Sequence, residues 1–150
     1  MKRRFAFFIT IFSVMALLIG VIGVASVEAS KKKGSEGCTP GYWKAEQHFD
    51  SWVGYSPDQL FSSVFEDAFP GLTLLDVLSQ PASTGGHNAL NNLGRHTVAA
   101  LLSTSSPGVN YAYTDPQTVI DLFNGVFPGG DYEGLKNIFA AFNNRDCPLN

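Results

Sequence analysis

Two cysteines, three histidines and a group of aromatic side chains are the residues of this chain with the greatest capacity for chemistry. Cys38 and Cys147 are the only cysteines among 150 residues, and they lie at the two edges of the part that could fold as a domain. An apolar segment typical of export precedes Cys38. Because two cysteines in an exported chain most readily pair, we predict a disulfide between Cys38 and Cys147.

The histidines are the candidate metal ligands. His87 and His96 do not stand three or four residues apart, so one face of a helix does not bring both to a metal. The ligand spacings of zinc proteases, zinc fingers and EF-hands are missing from the sequence as well. A site made from His48, His96 and a carboxylate such as Asp50 would require a tertiary approach. We predict no cofactor and no metal, and keep His48 and His96 as the ligand candidates. We expect His96 to be buried or half-buried and to tie the first helix to the fourth.

Four aromatic residues near the first cysteine are the candidate ligand-binding residues: Tyr42, Trp43, Trp52 and Tyr55. Exposed rings of this kind could form a platform for sugar rings. In the other interpretation, the two tryptophans are core residues beside the disulfide, and each indole N–H finds a nearby acceptor. The residue types are compatible with both interpretations.

Signatures of hydrolytic catalysis are missing. No Gly-x-Ser-x-Gly elbow occurs, and the serines cluster where helices and turns begin. Glu66 and Asp67 fall on the predicted solvent face of a helix, whereas the paired carboxylates of sugar hydrolysis need a cleft between them. We predict that the protein is not an enzyme.

The amino-terminal segment has the parts of a secretory signal. Three basic residues follow Met1, an apolar run extends from Phe5 to Val27, and small residues allow cleavage after Ala29. The run is nearly long enough to span a bilayer, so an uncleaved anchor stays open as the alternative. We therefore assign residues 1–29 to a signal peptide or anchor and 30–37 to a flexible Lys/Gly/Ser tail. Either way, the predicted location is secreted or at the cell surface.

The charge balance argues against nucleic acid as a partner. The formal net charge is −3, and three of the ten basic residues belong to the signal. The mature chain is therefore more acidic still, whereas phosphate neutralisation needs clustered lysine and arginine. The only basic run, residues 31–33, lies in the predicted tail. We expect contact with a membrane only through the amino-terminal segment, if that segment is retained.

Capping residues and apolar periodicity predict an all-α domain. Ser56-Pro57-Asp58-Gln59 is a capping box, and Phe-Pro-Gly ends two of the predicted helices. The only β-leaning stretch, residues 109–113, is short. The helices are predicted over residues 40–52, 56–69, 73–80, 87–103, 115–127 and 131–147. We predict a compact bundle of five or six short helices over residues 38–147, closed by a terminal disulfide, with 148–150 as a carboxyl-terminal tail.

Two motifs carry a family resemblance. Residues 38–44 read Cys-Thr-Pro-Gly-Tyr-Trp-Lys, and residues 95–102 read Arg-His-Thr-Val-Ala-Ala-Leu-Leu. In these motifs the chain resembles a family of secreted and surface-associated bacterial and archaeal proteins. Members often have asparagine where this chain has Ser103. The resemblance implies an extracellular module, often attached to other surface domains, and it implies no established activity.

The leading functional hypothesis is a non-enzymatic extracellular module for cell-surface structure, adhesion or assembly, including a filament or layer subunit. Its partners would be further copies of itself or other cell-surface components. The alternative is a secreted protein that binds carbohydrate or another small ligand through exposed aromatic side chains. A metal-dependent enzyme is the third hypothesis.

Overall fold

The computed structural model describes residues 32–82 and 88–149. Five α-helices and two 3₁₀ helices form there. In chain order they are α1 (Pro40–Trp43), the 3₁₀ helices Glu46–Ser51 and Phe61–Ser63, α2 (Leu74–Leu78), α3 (Ala89–Ser105), α4 (Pro116–Val126) and α5 (Tyr132–Asn143). Over these two ranges no β-strand forms, and only two isolated β-bridges occur. The predicted helical class is confirmed for this part of the chain, whereas the predicted signal segment and His87 lie outside it.

Helix α3 is the centre of the fold and contacts the other four α-helices. Its Leu93, Val98 and Leu101 are fully buried. Gly94 is required for the packing of α2 and the preceding loop, because a Cβ there would lie 2.6 Å from the Phe69 ring and 2.9 Å from Val77. Ordinary van der Waals contacts are longer than this, so a larger residue at Gly94 would force these neighbours apart.

Three helices start at a residue whose side chain caps the first turn. The side chains of Thr39, Asp115 and Asp131 accept hydrogen bonds from the backbone N–H groups of Tyr42, Gln117 and Gly134, respectively. Proline fills the first turn of α1 and α4, where its missing N–H has no intrahelical partner to lose. These caps fix the direction in which α1, α4 and α5 leave their loops.

The segment 56–69 differs from the predicted helix. Only Phe61–Ser63 is helical there, as a 3₁₀ turn. The Phe61 N–H donates to the carbonyl of Leu72 at 2.9 Å, and the carbonyl of Gln59 accepts from the N–H of Leu74 at 2.8 Å. These long-range bonds occupy backbone groups that a helix would use, so the local capping signal does not decide the conformation.

The apolar spacing of this segment nevertheless indicates its buried side chains correctly. Phe61, Phe65 and Phe69 all lie in the core. The Phe61 ring stacks on Phe65 at 4.6 Å between centroids and meets Phe69 edge-on at 4.9 Å. Phe123 of α4 completes the cluster at 5.3 Å from Phe61. This aromatic cluster joins the loop before α2 to α4.

The first predicted helix is also shorter than expected. Helix α1 ends at Trp43, and a 3₁₀ helix begins at Glu46 after an extended residue, Ala45. The carbonyl of Trp43 accepts a hydrogen bond from the indole N–H of Trp52 at 3.1 Å. In a continuous α-helix, that carbonyl would accept from the backbone N–H four residues later. Here it accepts from the side chain of the buried Trp52 instead, and the helix ends.

The predicted disulfide is present. Cys38 and Cys147 are joined, with their Cα atoms 4.7 Å apart across a sequence separation of 109 residues. Cys38 is fully buried. Since α1 follows Cys38 directly and α5 ends shortly before Cys147, the bridge holds the first helix against the end of the last one.

Residues 32–37, expected as a flexible tail, lie against the domain instead. Glu36 is buried, donates its backbone N–H to the carbonyl of Asn110 at 3.2 Å, and accepts from the Asn110 N–H through its carboxylate at 2.8 Å. The Gly37 N–H donates to the carbonyl of Asp146 at 3.2 Å. A Cβ at Gly37 would collide with the carbonyl oxygen of Phe142, so only glycine allows this approach. The Lys/Gly/Ser composition of this segment does not indicate such individual contacts.

Candidate functional site

A surface pocket lies where the two ends of the domain meet. Its volume is about 530 Å³, and we call it the Tyr42 pocket. It is lined by Tyr42, Gln47, His48, Asp50, Ser51, Pro148 and Leu149. One wall comes from α1 and the following 3₁₀ helix, and the other comes from the residues just after Cys147. The disulfide therefore joins the chain segments that carry the two walls.

A stacked pair of rings forms the aromatic part of this pocket. The rings of Tyr42 and His48 lie 3.9 Å apart between centroids and are inclined by 20°. Tyr42 also meets Trp43 edge-on at 5.1 Å, which links the pocket to the core. Both rings of the stacked pair are half-buried. His48 is thus placed as a partner of Tyr42.

A chain of hydroxyl groups continues from the stacked pair to a carboxylate. The Tyr42 and Ser51 hydroxyl oxygens lie 3.4 Å apart, and the Ser51 hydroxyl donates to Asp50 Oδ1 at 3.4 Å. Hydrogen bonds between oxygens are commonly ~2.7–2.8 Å, so both of these are long. The hydrogen bonds that connect Tyr42, Ser51 and Asp50 are therefore weak.

The two tryptophans serve the core. Trp43 is fully buried, and Trp52 is 8% exposed. The Trp43 indole N–H donates to the Ser103 hydroxyl at 3.1 Å, and the Trp52 indole N–H donates to the Trp43 carbonyl. Ser103 also accepts from the backbone N–H of Cys38 at 3.3 Å. Neither indole presents a face to a ligand, so a platform of four rings does not form.

Tyr55 lines a second pocket of about 420 Å³, the Tyr55 pocket. The lining residues are Val53, Gly54, Tyr55, Thr104, Ser105, Thr114 and Pro116. The hydroxyls of Thr104 and Ser105 each donate to a carbonyl one turn earlier in α3 at 2.8 Å. Partial burial raises the pKa of Tyr55. Of the four predicted binding residues, Tyr42 and Tyr55 therefore reach pockets, but different ones.

His96 belongs to a buried polar network that joins α3 to α5. The Asn143 side-chain amide donates to the His96 carbonyl at 2.9 Å, and its Nδ2 lies 3.5 Å from His96 Nδ1. The Tyr111 hydroxyl donates to Asn143 Oδ1 at 2.8 Å. The predicted link from His96 to the first helix is wrong, because the hydrogen-bond partner of His96 is Asn143 on α5. The sequence offers no signal for Asn143, because a buried asparagine looks like any polar residue at a helix end.

The surroundings of His96 disfavour its charged form. Burial, reinforced by the positive charges of Arg95 and Lys136, lowers its pKa from 6.5 to about 4. Burial also raises the pKa of Tyr111 well above its usual range. Both groups are thus neutral at physiological pH and act through hydrogen bonds, which suits a structural link between helices.

Within residues 32–82 and 88–149, no group of three or more histidine, cysteine, aspartate or glutamate side chains is positioned to hold a metal ion. His48 contacts Tyr42, and His96 contacts Asn143. The third predicted hypothesis, a metal-dependent enzyme, gains no support from the described part of the chain.

The pKa of His96 predicts a specific loss of stability in acid. Because the folded pKa is below the unfolded value, the unfolded chain binds more protons between pH 6.5 and pH 4. The contribution of His96 is complete above pH 6.5 and declines as the pH falls toward 4. We expect His96→Gln to remove about 2 kcal/mol of this decline, after a discount for partial solvent screening. Urea unfolding of the wild type and of His96→Gln at pH 7 and pH 4.5 measures the difference. Equal slopes for wild type and His96→Gln would contradict the assignment.

No protein-family model, curated protein or solved structure matches this chain. The geometry defines the molecule as a helical domain closed by a disulfide, with an aromatic and hydroxyl-lined pocket at its joined ends. Among the helices of residues 32–82 and 88–149, none combines the length and the apolar character needed to cross a membrane. The disulfide and this pocket are therefore the features of the molecule that point to a function.

Proposed function

We propose that this chain is a non-enzymatic extracellular module of the cell surface, with a role in surface structure, adhesion or assembly. The disulfide between Cys38 and Cys147 is the observation that carries this proposal. Structural disulfides persist in oxidising compartments and are rare in the cytosol. A bridge between the two ends of a domain protects a small fold that must survive outside the cell.

The way the chain enters the domain supports a tethered module. Glu36 and Gly37 are hydrogen-bonded to Asn110 and Asp146, so the segment before Cys38 leaves the domain beside the end of α5. The disulfide follows directly and fastens the domain close to this point of entry. A domain held at one corner in this way suits attachment to a surface or to a neighbouring subunit.

The finer architecture is part of the same proposal. Residues 1–29 would act as a signal peptide or a retained anchor, and residues 38–147 would fold as one compact bundle of five or six helices. Self-association into a filament or layer, or binding to other surface components, would then use the exposed faces of the domain. Val53, Leu60 and Ile138 are large apolar side chains that remain exposed and are available for such contacts.

Fractionation of the native producer tests the proposal. Immunogold imaging should place the protein at the cell surface or in the medium, and unreduced mass spectrometry should show a mass lower by two hydrogens than the reduced form. Cytosolic protein with both thiols free would overturn the extracellular assignment. Freely soluble monomer at the surface would overturn only the assembly role.

A second candidate function is the binding of carbohydrate or another small ligand. The Tyr42 pocket favours it, because a stacked ring pair, a carboxylate and several uncharged polar groups converge there. Ligand pockets commonly combine such a small set of polar groups with apolar walls. This activity is compatible with adhesion, in which a surface module recognises a glycan.

A further inference from the structure

We propose that the Tyr42 pocket is a binding site for a neutral saccharide of one or two rings. This deepens the ligand-binding function proposed above and rests on it. The proposed site lies where the two ends of the domain meet, whereas the two tryptophans are buried in the core. Its volume of about 530 Å³ lies within the ~300–1,000 Å³ range of small-molecule sites.

The polar groups of the pocket match a polyhydroxylated ring. Asp50 offers carboxylate oxygens that accept from sugar hydroxyls, and such charge-assisted bonds are the stronger kind. The amide of Gln47 both donates and accepts, as do the hydroxyls of Ser51 and Tyr42. Neighbouring hydroxyls of a sugar likewise donate and accept in turn, so each can find a partner in this set.

The hydrogen bonds within the pocket are long, so a ligand can replace them with little loss of free energy. Tyr42, Ser51 and Asp50 are connected at 3.4 Å in each step, so a ligand hydroxyl that bonds them displaces only weak contacts. The Tyr55 pocket differs in this respect. There Thr104 and Ser105 already donate to helix carbonyls at 2.8 Å, which leaves fewer donors for a ligand.

The remaining wall is apolar. Pro148 and Leu149 face the pocket from the carboxyl-terminal side, and the stacked Tyr42–His48 pair adds aromatic surface. The C–H groups of a pyranose ring form an apolar face that packs against walls of this kind. Because the two walls belong to opposite ends of the domain, the Cys38–Cys147 bridge holds them beside each other.

Titration of the full, disulfide-bonded protein with glucose, cellobiose and N-acetylglucosamine tests the site by amide NMR. We expect at least one of these probes to shift the amide signals of residues 47–51 at millimolar concentration. Tyr42→Phe, Asp50→Asn and Leu149→Ala should each weaken that binding about tenfold or more. Tyr55→Phe is the matched control, since it removes a phenol hydroxyl from another half-buried tyrosine and should leave the affinity unchanged.

Several results would overturn the saccharide site. One is that none of the three probes shifts the amide signals. Another is that the shifts are centred on residues 53–55 and 104–105. A third is that Tyr42→Phe and Tyr55→Phe weaken the binding equally. The thermal unfolding midpoint of each variant separates a lost contact from a lost fold. If Tyr42→Phe or Leu149→Ala does not fold, Asp50→Asn still tests the saccharide site, because Asp50 lies at an exposed position. Failure here would leave the surface location untouched, because imaging of the producer measures that location independently.

Discussion

Replacing both Cys38 and Cys147 by serine is expected to lower the free energy of unfolding by about 5 kcal/mol. The bridge closes a loop with a sequence separation of 109 residues, and loop closure restricts the unfolded chain more as the loop grows. Small domains have net stabilities of only ~5–15 kcal/mol, so this loss is comparable to the whole margin. Urea unfolding followed by circular dichroism measures it directly.

Reduction provides the control for this prediction. Treatment of the wild type with a strong thiol reductant should reproduce the stability of the double serine variant, and the reductant should leave the variant itself unchanged. We also expect the amide protons of residues 34–37 to exchange faster in the variant, because the bridge helps to hold this segment near Asp146. A stability loss under about 1 kcal/mol would contradict the loop-closure explanation of the bridge's effect.

The features that depend on local chemistry are predictable from the sequence. Thr39, Asp115 and Asp131 cap helices where their side chains and the following residues indicate, because a cap needs only its own first turn. The disulfide is predictable for a different reason. With only two cysteines there is a single intramolecular pairing, and the predicted export signal favours oxidation.

The features that depend on tertiary contacts are not predictable in this way. The capping box at Ser56 is half formed, since Gln59 Oε1 lies 3.4 Å from the Ser56 nitrogen, but the backbone then pairs with the chain before α2. Tertiary pairing overrides local propensity there. The docking of residues 32–37 depends on Glu36 meeting Asn110, a contact between residues far apart in sequence.

The candidate site also contains both residues that the sequence indicates and residues that only the tertiary structure reveals. The sequence points to Tyr42 as a binding residue, and the structure places it in a pocket. Pro148 and Leu149 line that pocket because the disulfide and the Gly37–Asp146 hydrogen bond hold the two ends of the domain together, so no local pattern identifies them. Trp43 and Trp52 are adjacent to the site in sequence, but their size makes them more effective as core residues, with each N–H satisfied internally.

The buried network around Asn143 leads to the second large effect. Asn143 is fully buried, and its amide satisfies both the His96 carbonyl and the Tyr111 hydroxyl. We expect Asn143→Ala to lower the free energy of unfolding by about 3 kcal/mol, because each buried polar group left without a partner costs ~1–3 kcal/mol. Loss of the link between α3 and α5 should also lower the thermal midpoint.

A double-mutant cycle isolates the hydrogen bond within this effect. Tyr111→Phe alone should cost about 1–2 kcal/mol, because it leaves Asn143 Oδ1 unpaired. Combined with Asn143→Ala, it should cost clearly less than the sum, since the phenyl ring no longer needs an acceptor. Asn137→Ala, at an exposed position of the same helix, is the matched control and should change stability by no more than about 0.5 kcal/mol. Strict additivity of Asn143→Ala and Tyr111→Phe would contradict an energetic coupling between these two side chains, and an equal loss for Asn137→Ala would contradict the assignment of the effect to the buried amide of Asn143.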